Sequence, residues 1–150
     1  MKIDAAGRDF IYKQEGVRLK AYLDSVNVPT IGVGMTYYPG TGKKVQMGDV
    51  IRLAQCDSMF TAIVAYHEDA ITKAITVPIT QNRFNALVSM PYNIGPAGFS
   101  KSTLVKRINA NSSAHLIRAA FLMWQKAAGG VNWVLVKRRN EEADLLLKAT

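Results

Sequence analysis

The sequence holds a single cysteine, Cys56, so no intramolecular disulfide can form. Cys56 lies in the helical pattern "VIRLAQCDSMFTAIVAY" and is expected to pack as a small buried hydrophobe. There are only two histidines, His67 and His115, far apart and near no cysteine. The ligand spacing of a metal site is therefore missing, and neither metal nor cofactor is expected. No apolar run approaches the roughly 20 residues needed to span a bilayer. The opening stretch, "MKIDAAGRDF", lacks the apolar segment of a secretory signal. The chain is thus expected to start in the cytosol, any export using another route. Repeats and low-complexity linkers are also absent.

What remains is globular. In 150 residues, 49% are hydrophobic and 20% charged, which suits one domain with a true core and argues against disorder. The formal net charge is +8, which draws a chain towards polyanions: nucleic acid, anionic membranes or cell-wall polymers. Lys and Arg are spread along the chain, and the densest group, "KRRNEE", is partly cancelled by Glu141 and Glu142. No cluster of basic and aromatic residues marks a nucleic-acid groove, so nucleic acid is not an expected partner.

The chain changes character once. Residues 3–15 read as a helix that Asp4 can cap and Gly16 can end. Residues 17–47 are rich in Gly, Pro, Val, Thr and Tyr. There "RLKAYLD" and "PTIGVGMTY" read as strands, with turns at Ser25–Asn27 and at "PGTG". Helices are expected over about 50–75, 81–92, 101–109, 113–127 and 132–148, separated by breaks such as "TVPITQ", "NIGPAGFS", "NANSS" and "AAGG". Pro91 should bend or interrupt its helix. Segregated strands and helices indicate an α+β fold: a β-rich lobe at about 17–47 and a helical lobe at about 50–150 joined by the N-terminal helix, in one domain of residues 1–150. A ligand cleft is expected between the two lobes.

Three residues near the ribbon invite a chemical reading. Glu15 falls at a helix C-terminus, where an acid is locally unfavourable and would tend towards a raised pKa, as a general acid requires. A solvated helix-end Glu paired with Lys13 or Arg18 is the plain alternative. Asp24 opens a turn, where an Asp ordinarily bonds the backbone two residues on. Thr30 is an unremarked strand residue by itself. Gly32 and Gly34 alternate along their strand and suggest close approach of a ligand or another backbone. Together, two carboxyls and a hydroxyl fit glycoside hydrolysis, which needs a proton donor on one face of the bond and a base or nucleophile near the other.

The pattern Glu15, eight residues, Asp24, five residues, Thr30, then "IGVG", resembles the signature of the phage-type lysozymes, the muramidases of glycoside hydrolase family 24. "EGVRLKAYLD" is similar to the family's wording. The likeness continues through "QNRFNALVSMPYNIG", "GFSKSTLVKRIN", a helix ending at Trp124, "AAGG" and "VKRRNEEADLL", covering almost the whole chain in order. The resemblance implies a lysozyme-like fold and cleavage of the β-1,4 bond between N-acetylmuramic acid and N-acetylglucosamine in peptidoglycan. It implies Glu15 as general acid, Asp24 as the carboxylate that activates water or stabilises the transition state, and Thr30 as the residue that positions the water. Tyr92, Asn93 and Ser102 are implied glycan contacts, Gly32 and Gly34 stand with them as substrate-binding candidates from their place in the ribbon, and Arg138 and Arg139 are candidate basic partners of Glu15. Inversion at the sugar carbon is implied, with carboxyls roughly 6.5–9.5 Å apart. Met35 departs from the family, which often has His there, and a thioether cannot donate a hydrogen bond as an imidazole does.

The resemblance further implies a monomer that accumulates in the host cytoplasm and reaches the wall after the membrane is permeabilised. No obligatory membrane contact is expected, the last helix reading first as one packed on its own domain. Two alternatives stand beside hydrolysis. One is lytic transglycosylase chemistry, in which the muramic acid's own 6-hydroxyl replaces water. The other is a catalytically inactive lysozyme-fold module that binds the wall.

Overall fold

The computed structural model describes residues 1–127 and 129–149. Helix α1 (Ala5–Glu15) starts where Asp4 Oδ1 accepts the Gly7 N–H at 2.9 Å and ends where Gly16 turns left-handed at φ 76°. A short ribbon follows, β1 (Arg18–Leu23) antiparallel to β2 (Pro29–Gly32), with Tyr22 opposite Thr30 and an irregularity between Arg18 and Tyr22. A second pair, β3 (Tyr37–Tyr38) and β4 (Lys43–Lys44), closes over "PGTG". Then come α2 (Leu53–Ala74), α3 (Gln81–Ile94), α4 (Pro96–Ser100), α5 (Thr103–Asn109) and α6 (Ala114–Leu122). The pair β5 (Lys126–Ala127) and β6 (Gly130–Val131) precedes the last helix, α7 (Trp133–Leu147).

The chain divides into two compact units, Asp9–Ala65 and Met1–Arg8 with Tyr66–Thr150, and α1 and α2 each contribute residues to both. In the first unit, Ile11, Ile31, Val33, Met35, Cys56 and Phe60 are buried. Tyr12 meets Phe60 edge to face at 4.9 Å, and its hydroxyl donates to Asp57 Oδ1 at 2.6 Å. Cys56 is wholly buried, and burial pushes its thiol above the ordinary value, as befits an inert packing residue.

The helical unit is built on α3, which packs against α7, with Phe84, Leu87, Phe99, Leu104, Phe121 and Leu146 buried. Four of its helices, α3, α5, α6 and α7, begin on side-chain caps: Thr80 accepts from Arg83 N–H, Ser102 from Val105, Ser113 from Leu116, and Asn132 from both Val134 and Leu135. Each such cap contributes about 1 kcal/mol. A buried ionic cluster joins α3 to α7. Glu142, 0% exposed, accepts from Arg138 Nε at 3.0 Å, Arg139 at 2.7 Å and Ser89 Oγ at 2.8 Å.

The structure corrects several expectations. The strand starting at Pro29 ends at Gly32, because Gly32 and Gly34 adopt φ 66° and 67° and turn the chain. Pro91 does not interrupt α3, which runs on to Ile94; Pro91 lacks an N–H but sits near the helix end, where its carbonyl still accepts from Gly95. The break "NIGPAGFS" contains α4, nucleated by Pro96 in its first turn. The helix expected to reach 127 stops at Leu122, and Lys126–Ala127 instead pairs with Gly130–Val131. Ala128, within the expected break "AAGG", lies outside the described residues.

Replacing Glu142 with Gln removes the charge that Glu142 sets against two buried guanidiniums and should cost about 3–5 kcal/mol. Replacing Asp144 with Asn, whose 2.7 Å pair with Arg118 is far more exposed, should cost about 1 kcal/mol or less. Calorimetric melting of both variants beside the unaltered chain checks this ordering.

Candidate active site

Glu15, Asp24 and Thr30 all fall within the Asp9–Ala65 unit. Glu15 is the last residue of α1 and is half-buried. Gly34 comes to it from the turn after β2: a Cβ built at Gly34 would lie 3.3 Å from Glu15 Oε2. The missing side chain at Gly34 thus leaves room at the carboxyl. Gly32 has a different role. Its missing Cβ faces inward, 3.2 Å from both Cys56 Sγ and Met35 Sδ, so it is a packing glycine rather than one that faces a ligand.

Asp24 follows β1 and folds the turn to β2 around itself. Its Oδ1 accepts the N–H groups of Val26 at 2.9 Å and Val28 at 2.8 Å, while its own N–H donates to Val28 O at 3.0 Å. Asn27 takes the left-handed conformation, φ 61°, that the tight turn demands. Oδ2 accepts no hydrogen bond from the described residues. Thr30 is 3% exposed and donates its hydroxyl to Val28 O at 2.8 Å. That uses its one proton and leaves the oxygen able only to accept from another molecule.

Tyr22 is a neighbour that sequence reasoning did not single out. It pairs with Thr30 across the ribbon, and the Arg18 guanidinium lies 4.3 Å from its ring centroid. Burial pushes its phenol above the ordinary value; Arg18 opposes the shift, and the carboxylates of Glu15 and Asp24 both add to it. Tyr22 is therefore within electrostatic reach of both acids. The signal was the partner position opposite Thr30, visible only once the register is known.

Met35 is buried, and its backbone exchanges hydrogen bonds with Ile31 at 2.8 and 2.9 Å. The tight turn carrying Gly34 therefore closes without an imidazole at position 35.

Tyr92, Asn93 and Ser102 belong to the helical unit. The Tyr92 ring lies 5.3 Å from that of His67, whose buried Nδ1 has no hydrogen-bond partner among the described residues and whose imidazole burial pushes below its ordinary value. Asn93 is exposed and its amide oxygen accepts from Arg139. Since a guanidinium only donates, the amide N–H₂ must point elsewhere. Ser102 is buried and its oxygen caps α5, a structural task. Arg138 and Arg139 are both held by Glu142.

The helical body and small ribbons are those of a lysozyme fold. An endolysin from Escherichia coli O157:H7 phage FAHEc1 superposes with a TM-score of 0.91 at 38% identity, covering 100% of this chain and 96% of that one. The chain belongs to the phage lysozyme family, whose model matches residues 12–142. The endolysin of Salmonella phage P22 is 36% identical over 143 residues, 95% of this chain and 97% of its own length. That of Bacillus phage PZA is 36% identical over all of this chain, which spans 57% of its length.

Gly34→Ala should separate strain from crowding. Both Gly34→Ala and Gly40→Ala force an alanine into positive φ, at a cost of about 1–2 kcal/mol. Only at Gly34 does the new methyl meet Glu15, nothing lying within 4 Å at Gly40. Melting temperatures should fall alike, while wall-lysis rates fall only for Gly34→Ala.

Proposed function

We propose that this lysozyme hydrolyses the β-1,4 bond between N-acetylmuramic acid and N-acetylglucosamine in bacterial peptidoglycan, with Glu15, Asp24 and Thr30 carrying the chemistry. Membership of the phage lysozyme family supports the reaction class. The observation that carries the assignment is the division of labour within Asp24: Oδ1 is fastened by two backbone N–H groups and Oδ2 is left unbonded by the described residues.

In this reading Glu15 donates its proton to the glycosidic oxygen as the bond to the leaving sugar breaks. A water donates one O–H to Asp24 Oδ2 and the other to Thr30 Oγ, which can only accept because its own proton is committed to Val28 O. Both protons are then occupied, and a lone pair faces the anomeric carbon. Asp24 takes up the water's proton as the new C–O bond forms. Attack by water opposite the leaving oxygen inverts the configuration. Tyr92 and Asn93 are proposed glycan contacts, Asn93 through its outward N–H₂.

The net charge of +8 raises local concentration on a wall polymer bearing carboxylates. Among the described residues no helix is long and apolar enough to cross a membrane. We take access to the wall to depend on separate permeabilisation of the host membrane.

Asp24→Asn provides the sharpest test. An amide oxygen can still accept from Val26 and Val28, so the melting point should hold, but an N–H₂ replaces the free acceptor. Turnover should fall by about 10²–10⁴-fold. Thr30→Val should also lose activity, whereas Thr30→Ser should keep much of it. Mass spectrometry of fragments from purified peptidoglycan reads the reaction itself. Reducing N-acetylmuramic ends from the native chain, absent with Glu15→Gln, are expected. Anhydro-muramic ends would make it a transglycosylase, and binding without fragments would make it an inactive wall-binding module.

A further inference from the structure

A cavity of about 420 Å³ opens on the ribbon side of the Asp9–Ala65 unit, lined by Val28, Pro29, Thr36, Tyr37, Lys44 and Val45. We propose that it takes the acidic peptide substituent of a muramic acid residue, Lys44 pairing with one of its carboxylates. The proposal rests on the muramidase reading and names the part of the substrate that the Asp24 turn and the β3–β4 pair would hold.

Position is the first argument. Val28 and Pro29 directly precede Thr30, and the Val28 backbone is bonded to both Asp24 and Thr30. A ligand in this cavity would therefore touch the segment that holds both residues.

The second argument is the surface. Val28 is 39% exposed and Tyr37 44%, with Leu23 and Val26 beside them in sequence also exposed. Apolar and aromatic side chains left open beside a reactive turn mark a place where something binds. Tyr37 offers a flat apolar face with a polar tip.

The third argument is charge. Lys44 stands opposite Tyr37 in the β3–β4 register and takes part in no ion pair among the described residues. A larger cavity, about 600 Å³, also borders Lys44, but there the Asp49 carboxylate offsets part of the charge of Lys43 and Lys44. Asp49 is engaged by the Tyr38 hydroxyl and the Gln46 N–H, and Tyr38 is pushed up to about 12 by burial and by that bond. The smaller cavity thus joins an available ammonium to an apolar floor, with no carboxylate in its wall. The sugars' hydroxyls and acetamido groups carry no charge. Within peptidoglycan, short apolar side chains followed by carboxylates occur in the peptide substituent. The volume lies within the range of about 300–1,000 Å³ usual for small-ligand sites.

The test compares glycan strands bearing their peptides with the same strands stripped of peptide by an amidase, each lactyl carboxylate so freed being capped as its neutral methylamide. Lys44→Glu turns an attraction into a repulsion and should raise KM on the peptide-bearing strands about tenfold. It should leave kcat there, and both constants on stripped strands, unchanged. Lys43→Glu makes the same change in net charge on the neighbouring residue, which does not line this cavity, and should leave the preference intact. Tyr37→Ala should narrow the difference between substrates without a charge change. Equal losses on both substrates, or no change on peptide-bearing strands, would overturn the proposal while leaving the muramidase reading standing. If the native chain cleaves neither substrate, the muramidase reading falls and takes this proposal with it.

Discussion

The backbone of Val28 is the point on which the candidate site turns. Its N–H is held by Asp24 Oδ1, and its carbonyl receives both the Asp24 N–H and the Thr30 hydroxyl. These bonds fix a carboxylate and a hydroxyl on one short loop with no contribution from distant side chains. They also decide the polarity of each group. Asp24 keeps one oxygen unbonded, and Thr30 loses its capacity to donate. A turn that merely reversed the chain would need the Oδ1 bonds but not an Oδ2 left unbonded by the described residues.

The sequence posed Asp24 as a choice between turn chemistry and reactive carboxylate. Within one carboxylate, Oδ1 forms the turn while Oδ2 stays open, so the two readings need not compete. The Asp24 turn was legible because short Asp side chains bond the backbone just ahead of them, and Asn27 signalled the positive φ. Helices α1, α2, α3, α5 and α7 were legible from apolar spacing and the polar breaks between them, and α1 also from its cap Asp4. The β5–β6 pair was not. "QKAA" carries helix-favouring residues, and what overrides them is local: Asn132 N–H returns to Gln125 O at 2.9 Å, with Gly129 and Gly130 at φ 94° and 111°. Gly32 was misread for a related reason. Spacing alone suggested that it shared a strand face with Gly34, but the chain turns at both, sending one towards the interior and the other towards Glu15.

The helical unit shows a second use of charge. A chain with a net charge of +8 places two arginines in its interior, and it can do so because Glu142 and Ser89 receive them. The sequence showed "KRRNEE" as the densest basic group, partly cancelled by Glu141 and Glu142. On α7 the spacing of three and four residues instead brings Arg138 and Arg139 onto Glu142, so that part of the run is internal structure. Buried pairs of this kind are costly to desolvate, and their attraction offsets that cost only where further hydrogen bonds satisfy the partners, as Ser89 does for Glu142 and Arg138 and Asn93 does for Arg139.

The central claim is that a water held by Asp24 and Thr30 attacks the sugar directly. Proton NMR of the first-formed reducing end, recorded before mutarotation, measures this most directly. The account predicts that the new end appears as the α-anomer, inverted from the β-linkage. A β-anomer appearing first would mean retention through a covalent or substrate-assisted intermediate, and would contradict direct attack by a water held between those two residues.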